Sequence, residues 1–539
     1  MNSKLIQNWV FPPTWLRFLI VVVLAVGVFF RFVNLDRKVY QDDETITSVR
    51  VAGYTTVEVA QQLFDGRVIG IEDLLKYQRP SPQTRLMDTL KSSAVEDPHI
   101  PPLYYILARW WVQLWGSSVA VTRSVSVLMS LLMFPCVYWL CLELFESSLV
   151  GWVAILIMAV SPFHVLYAQV ARQYSLLMVA TFLSSASLLR ALRVKTKGSW
   201  AIYSLTLALG LYSHLYYVWV AISHGIYVIV IERFRFSKRL VHFVFAALAG
   251  LLAFTPWIIV IITYFPAIGD TTSWQGSSRE SLPFLLKNWI GNLSRIFIDF
   301  GLDAQSSFIY LIPLIPLILL SAILVGYSIY FLCRQTPERA WLFVLILIGI
   351  TALSLILPDL IGGGRRSTIS RYLIVSYLGI QLAVAYLLAT KITSPLLSAG
   401  RQNLWRFALI ALLSVGVVSC AISSQADTWW NKYGSYANPQ IARLINRSLH
   451  PVIISDSTLD VSNYVIVGNL MSLSYLLEPK VKFQVAIRPN IPKITDGFSD
   501  VFLLMPSDSL RKEIEKAEES KIDLVLENQI VTLWKLAKS

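Results

Sequence analysis

The sequence predicts a polytopic α-helical membrane protein, with about eleven transmembrane helices and a soluble α/β domain at its C-terminal end. Three observations lead there. Hydrophobic residues make up 55% of the 539 and charged residues 15%, with mean hydropathy +0.59; a soluble globular chain holds roughly 45–50% apolar residues. The apolar residues gather in runs near the ~20 that a helix needs to cross a hydrocarbon core roughly 30 Å thick. After Ser423 the pattern changes to short β-rich runs, turn signals and one charged stretch.

The candidate spans are 13–33, 119–143, 149–167, 174–193, 200–214, 216–231, 241–263, 307–333, 341–357, 371–390 and 404–423. The halves of 200–231 are each short, so one long tilted helix is the alternative there. Lys4 and Arg17 precede the first run and no small-residue cleavage site follows it, which reads as an uncleaved signal anchor. Loop charge tests the count, because short cytoplasmic loops carry excess Lys and Arg. Arg193, Lys195 and Lys197; Arg233, Arg235, Lys238 and Arg239; Arg334 and Arg339; and Lys391, Arg401 and Arg406 mark four such loops. An odd count starting inside puts all four on one side, with loop 34–118 and tail 424–539 outside. The net charge of +13 is thus a topology signal, and no nucleic-acid motif accompanies it.

Within loop 34–118, Leu103 to Trp115 reads as a helix lying in the membrane interface with Arg109 snorkelling to water, and 282–298 as a second one. The 17 Trp and 24 Tyr suit interfacial belts. Cys136, Cys141, Cys333 and Cys420 lie in or beside apolar runs and imply buried thiols, with no disulfide framework. The tail, 424–539, divides into runs at 452–456, 464–468, 482–487 and 500–505, an amphipathic stretch at 509–520, and two further β-rich runs. That is enough chain to bury its own core.

Three stretches carry candidate chemistry, all on the expected outer face. Asp42, Asp43 and Glu44 follow the first span. Glu96, Asp97 and His99 precede the interfacial helix, where Pro98, Pro101 and Pro102 fix the backbone and Tyr104 follows. Gly362, Gly363 and Gly364 lead into Arg365, Arg366, Arg371 and Tyr372. Three arginines in an outer loop run against the positive-inside bias, and phosphate is the ligand that guanidinium forks and glycine backbone N–H groups suit. Arg172, His164 and Tyr174 fall on the same side. Acids and arginines at one water–lipid boundary suit transfer of a group between a phosphate and a hydroxyl: a carboxylate takes the hydroxyl proton, and cations stabilise the departing phosphate.

The order QDDETITSVRVAGY, DPHIPPLYYILARWWVQLWG, SPFHVLYAQVARQYSLL resembles the GT-C class of glycosyltransferases over residues 15–390. It is similar to the dolichyl-phosphate-mannose protein mannosyltransferases and to the bacterial aminoarabinose transferases that modify lipid A. The resemblance implies a polyprenyl-phosphate sugar as donor and a lipid, glycan or protein hydroxyl as acceptor, on the outer face of a bacterial plasma membrane. It carries the base onto Asp43 with Glu44 beside it, and the second acidic position onto Asp97 or Glu96. His99 takes the basic position, and Arg371-Tyr372 the pair that faces the lipid phosphate. Relatives commonly have Gln-Glu-Ala-Arg where this chain has Gln169-Val170-Ala171-Arg172, so an acid is missing there while Arg172 and Tyr174 remain. The expected mechanism is one inverting displacement. Asp43 is its base, and Arg365, Arg366 or Arg371 with His99 holds the phosphate; a divalent metal is a possible participant. A secondary transporter or lipid flippase is the rival reading, whose site would sit near the bilayer midplane on paired broken helices.

Overall fold

The computed structural model describes residues 12–276, 278–302, 308–459, 463–495, 497–528 and 530–537. Lys4 of the expected signal anchor and position 307 of one expected span lie outside the described residues. Every predicted span is helical. Eight of the described helices are long and apolar enough to cross a membrane, and the pair Ser148–Ala159 and Pro162–Ala168, bent by 65°, is a broken span or a re-entrant loop. That bend divides the expected 149–167 helix, because Pro162 lacks the N–H that would continue the ladder.

Segment 200–231 is two helices, Lys197–Ser213 of 17 residues and Tyr217–Ile231 of 15. They run to opposite ends of the bundle. His214 in the turn feels the charges of His99 and Arg172, whereas Glu232 past the second helix pairs with Arg239 at 3.0 Å and feels Lys195. The helix Val119–Phe145 measures the separation of those ends. Arg123 near its start pairs with Glu44, and Glu143 near its end pairs with Arg193. Twenty residues at a rise of 1.5 Å put the acidic triplet about 30 Å from the basic loop, the height of a hydrocarbon core.

The bend is held by a buried cation. Arg31, fully buried near the end of Thr14–Phe32, donates from Nη1 to the Ala159 carbonyl at 2.6 Å, from Nη2 to the Met158 carbonyl at 3.0 Å and from Nε to Ser130 Oγ at 2.8 Å. These are helix C-terminal carbonyls that the bend leaves without intrahelical partners. Gly27, one turn earlier, permits the approach, since a Cβ there would fall 2.5 Å from the Ala159 oxygen. Gly27→Val should therefore destabilise the protein by about 1–3 kcal/mol through overpacking, read as a lower Tm in detergent.

Leu103–Trp115 is a helix with Trp110, Leu114 and Trp115 exposed along one side, and Leu282–Ser294 is a second. Arg109 does not snorkel. It is 1% exposed and turned inward, where Nη1 donates to the Val51 carbonyl at 2.8 Å and to Thr89 Oγ1 at 2.9 Å. The carbonyl end of the helix Asp42–Ala52 attracts it more than water does.

The C-terminal sheet has six strands, β1 (Asp65–Ile69), β2 (Pro451–Ser457), β3 (Lys482–Ile487), β4 (Asp500–Leu504), β5 (Ile522–Glu527) and β6 (Thr532–Leu536), in the order β1-β3-β2-β4-β6-β5. β2 lies parallel to β3 and β4, and the outer pairings are antiparallel. Two expectations change here. β1 belongs to loop 34–118, so residues 424–539 do not build this domain alone. Val49, Leu63 and Phe64 share one core with Ile441, Leu470 and Phe483. The run at 464–468 is part of a helix, Asn463–Ser474, packed between the sheet and the first-loop helices. All four cysteines are free.

Candidate active site

The acidic triplet is the first turn of the helix Asp42–Ala52, where the unpaired N–H groups favour negative charge, and not part of an open loop. The three carboxylates have different surroundings. Glu44 is fully buried. Arg123 donates to both of its oxygens at 2.8 Å, Lys432 Nζ to Oε2 at 2.7 Å and the Ala171 N–H to Oε1 at 2.8 Å. Burial pushes its pKa up, but Arg123 and Lys432 outweigh that and bring it to about 2. With its lone pairs taken, Glu44, expected from the sequence beside the base, ties Arg123, Lys432 and the Ala171 N–H together.

Asp43 is partly exposed, its side chain 18% accessible. Arg371 Nη1 donates to its Oδ2 at 2.8 Å, and Arg172 Nη2 stands 3.7 Å from Oδ1. Arg172 also donates to the Asp43 carbonyl and to Thr47 Oγ1, each at 3.2 Å. Residues 328 positions apart thus share one ion pair. Burial raises the Asp43 pKa, and the two guanidinium groups overcome it and hold the carboxyl below its ordinary 3.8. Its neighbour Asp42 goes the other way, to about 7, through burial and then repulsion by Asp43. Adjacent carboxyls with separated pKa values are a functional-site signature. For Asp43-dependent activity, kcat/KM should hold level as pH falls from neutral and drop only below 3.8, where Asp43 gains its proton; a pH–rate profile checks this.

Glu96 and Asp97 are spent on Arg50. Arg50 Nε donates to Asp97 Oδ2 at 3.0 Å and Nη2 to Glu96 Oε2, and the Thr56 and Val57 N–H groups complete Glu96 at 3.0 and 3.1 Å. Both acids are nearly fully buried. They brace the turn that carries His99. The same turn is tied to the membrane helices by Trp257 Nε1, which donates to the Pro98 carbonyl at 3.0 Å. Burial first, then Arg172, lowers the His99 pKa against the pull of Asp97 and Asp43. Tyr104 bonds Ser126 Oγ at 2.8 Å and is structural; Tyr174 packs edge-on against Tyr167 at 5.1 Å.

The arginines of the late loop separate in the same way. Arg366 Nη1 donates to the buried Asp359 at 3.2 Å and to the Gly363 carbonyl at 3.1 Å, which closes the glycine turn. Arg365 stacks on Trp274 at 5.2 Å. Arg371 reaches Asp43, and Tyr372 accepts from Gln275 Nε2 at 2.9 Å and stands edge-on to Tyr216 at 4.8 Å.

Sequence reasoning missed Arg123, Lys432, Tyr433 and Tyr105. Three buried polar atoms beside Asp43 lack a hydrogen-bond partner: His99 Nδ1, Tyr105 OH and Arg172 Nε. Buried polar groups are nearly always satisfied, so these three atoms are open to a partner from outside the chain. Asp43, Glu44, Glu96 and Asp97 each face an Arg or Lys. Among the described residues no group of three or more His, Cys, Asp or Glu is arranged to hold a metal. The donor set does not fit a divalent ion.

The profile of the dolichyl-phosphate-mannose-protein mannosyltransferases matches residues 99–260, which include His99, Arg123 and Arg172. No curated protein matches the chain. Among solved structures, ArnT from Cupriavidus metallidurans bound to undecaprenyl phosphate covers 96% of this chain and 97% of its own at 14% identity, with a TM-score of 0.50. The apo form of that protein covers the same shares at 13% identity and a TM-score of 0.47. The fold of this chain is similar to that of ArnT along nearly its whole length, and residues 99–260 are similar to the dolichyl-phosphate-mannose-protein mannosyltransferases.

Proposed function

We propose that this protein is a membrane glycosyltransferase of a bacterial plasma membrane. It moves a sugar from a polyprenyl-phosphate-linked donor to an acceptor hydroxyl on the extracytoplasmic face, with inversion at the anomeric carbon. The observation that carries the reading is the Asp43–Arg371 contact at 2.8 Å. It joins a carboxylate and a cation suited to phosphate, beside Arg172, His99 and buried polar atoms without a protein partner. The ArnT fold, seen in that protein with undecaprenyl phosphate, supports the donor class.

The donor phosphate competes for Arg371 and draws it from Asp43, with His99 and Arg172 in the same charge field. Freed of that partner, the Asp43 carboxylate takes the proton of the acceptor hydroxyl. The acceptor oxygen bonds to the anomeric carbon from the face opposite the phosphate. The carbon–oxygen bond to phosphate breaks, and its electron pair leaves on the polyprenyl phosphate, where Arg371 and Arg172 balance the charge. A transporter of the repeat type needs two related broken helices; one bent pair is present among the described residues.

The test is to incubate the purified protein with labelled polyprenyl-phosphate sugars and candidate lipid, glycan and protein acceptors. The expected result is label transferred to an acceptor with inverted configuration. Uptake of label into proteoliposomes with no covalent transfer would favour the transporter.

A further inference from the structure

The segment Trp430–Ser435 leads from the last membrane helix into the sheet domain and touches Asp42 and Glu44 of the acidic turn. Lys432 Nζ donates to Glu44 at 2.7 Å, both groups being fully buried. Ser435 Oγ accepts from the Asp42 N–H at 2.9 Å. Gly434 lies so close that a Cβ would stand 3.1 Å from Asp42 Oδ2. Between these anchors Tyr433 adopts φ 38° and ψ −116°, a conformation that a bulky residue keeps only when its surroundings impose it, and one that concentrates at functional sites.

That backbone conformation sets a ring 4.9 Å from the Arg371 guanidinium, and Tyr372 supplies a second at 5.6 Å. Rings stacked on a guanidinium restrain its plane and leave the N–H edges free, which is the geometry for gripping two phosphate oxygens together. A tyrosine needed only for packing would have no use for a strained backbone. A tyrosine that must meet one side chain at one angle would.

We propose that Tyr433 is a positioning residue that aims Arg371 at the donor phosphate, so that the segment entering the C-terminal domain supplies part of the donor site. This rests on the reading of Arg371 as the phosphate ligand. Arg371 is bonded to the base, so its aim also decides how cleanly Asp43 is released when the phosphate arrives.

The experiment measures binding of undecaprenyl phosphate to the full-length protein in nanodiscs for wild type, Y433F, Y433L and Y433G, with the Tm of each. Y433F keeps a ring and should bind within about twofold of wild type. Y433L keeps bulk without a ring and should bind about tenfold more weakly, the size of a desolvated cation–π contact. Y433G relaxes the backbone and should bind as weakly as Y433L whatever its Tm, a result that a packing role would not give. Should Y433L fail to fold, Y433G against Y433F carries the same comparison. Wild-type affinity in Y433L and Y433G overturns the positioning role alone. Absence of binding by the wild type overturns the reading of Arg371 and the role of Tyr433 together.

Discussion

Asp43→Asn should slow sugar transfer by about a hundred- to ten-thousand-fold, the range that a positioned general base supplies, while polyprenyl-phosphate affinity stays level or rises. The amide keeps the shape of the side chain and cannot accept the acceptor's proton. Removing the negative charge also leaves Arg371 and Arg172 unopposed, which favours the phosphate. A rate measured at saturating donor, beside a direct binding measurement, separates the two effects. A loss of affinity equal to the loss of rate would mean that Asp43 acts on the ground state and is not the base.

The largest effect on stability is expected at Glu44. Glu44→Ala leaves Arg123 and Lys432 buried without their counterion and should cost about 3–5 kcal/mol, seen as a large fall in Tm or loss of the folded protein from detergent extracts. The same group predicts an acid transition. Its folded pKa of about 2 lies below the ordinary 4.5, so the folded state binds fewer protons than the unfolded chain between those values. The contribution of Glu44 is complete above pH 4.5 and fades as pH falls toward about 2. Tm should decline across that window in the wild type and respond less in Glu44→Gln.

How far the sequence reached is best judged residue by residue. The apolar helices are legible because hydrocarbon demands long apolar runs. The acidic turn stood out because three consecutive carboxylates beside a membrane segment are costly. What stayed hidden was pairing. Arg123 reads as the polar end of an apolar run, and nothing local ties it to Glu44, 79 positions earlier. Lys432 and Tyr433 are ordinary residues in a tail; their meaning lies in contacts 388 positions away for Lys432 and on Arg371 for Tyr433. β1 is a short strand with a charged edge that finds its partner only when β3 is folded. The helix Asn463–Ser474 is apolar around most of its circumference because it is enclosed by the sheet and the first-loop helices, and an all-apolar stretch carries no period to separate helix from strand. Arg109 shows the converse error, in which an arginine on an aromatic helix was assigned to the water interface when helix-terminal carbonyls were nearer.

The measurement that bears most directly on the whole account is a ligand-bound structure of the full-length protein in nanodiscs with a polyprenyl phosphate. The expected result is phosphate density in hydrogen-bond contact with Arg371, the Asp43 carboxylate released toward the acceptor side, and Tyr433 still stacked on the guanidinium. Phosphate lodged elsewhere on the protein, with the 2.8 Å contact between Asp43 and Arg371 intact, would contradict it.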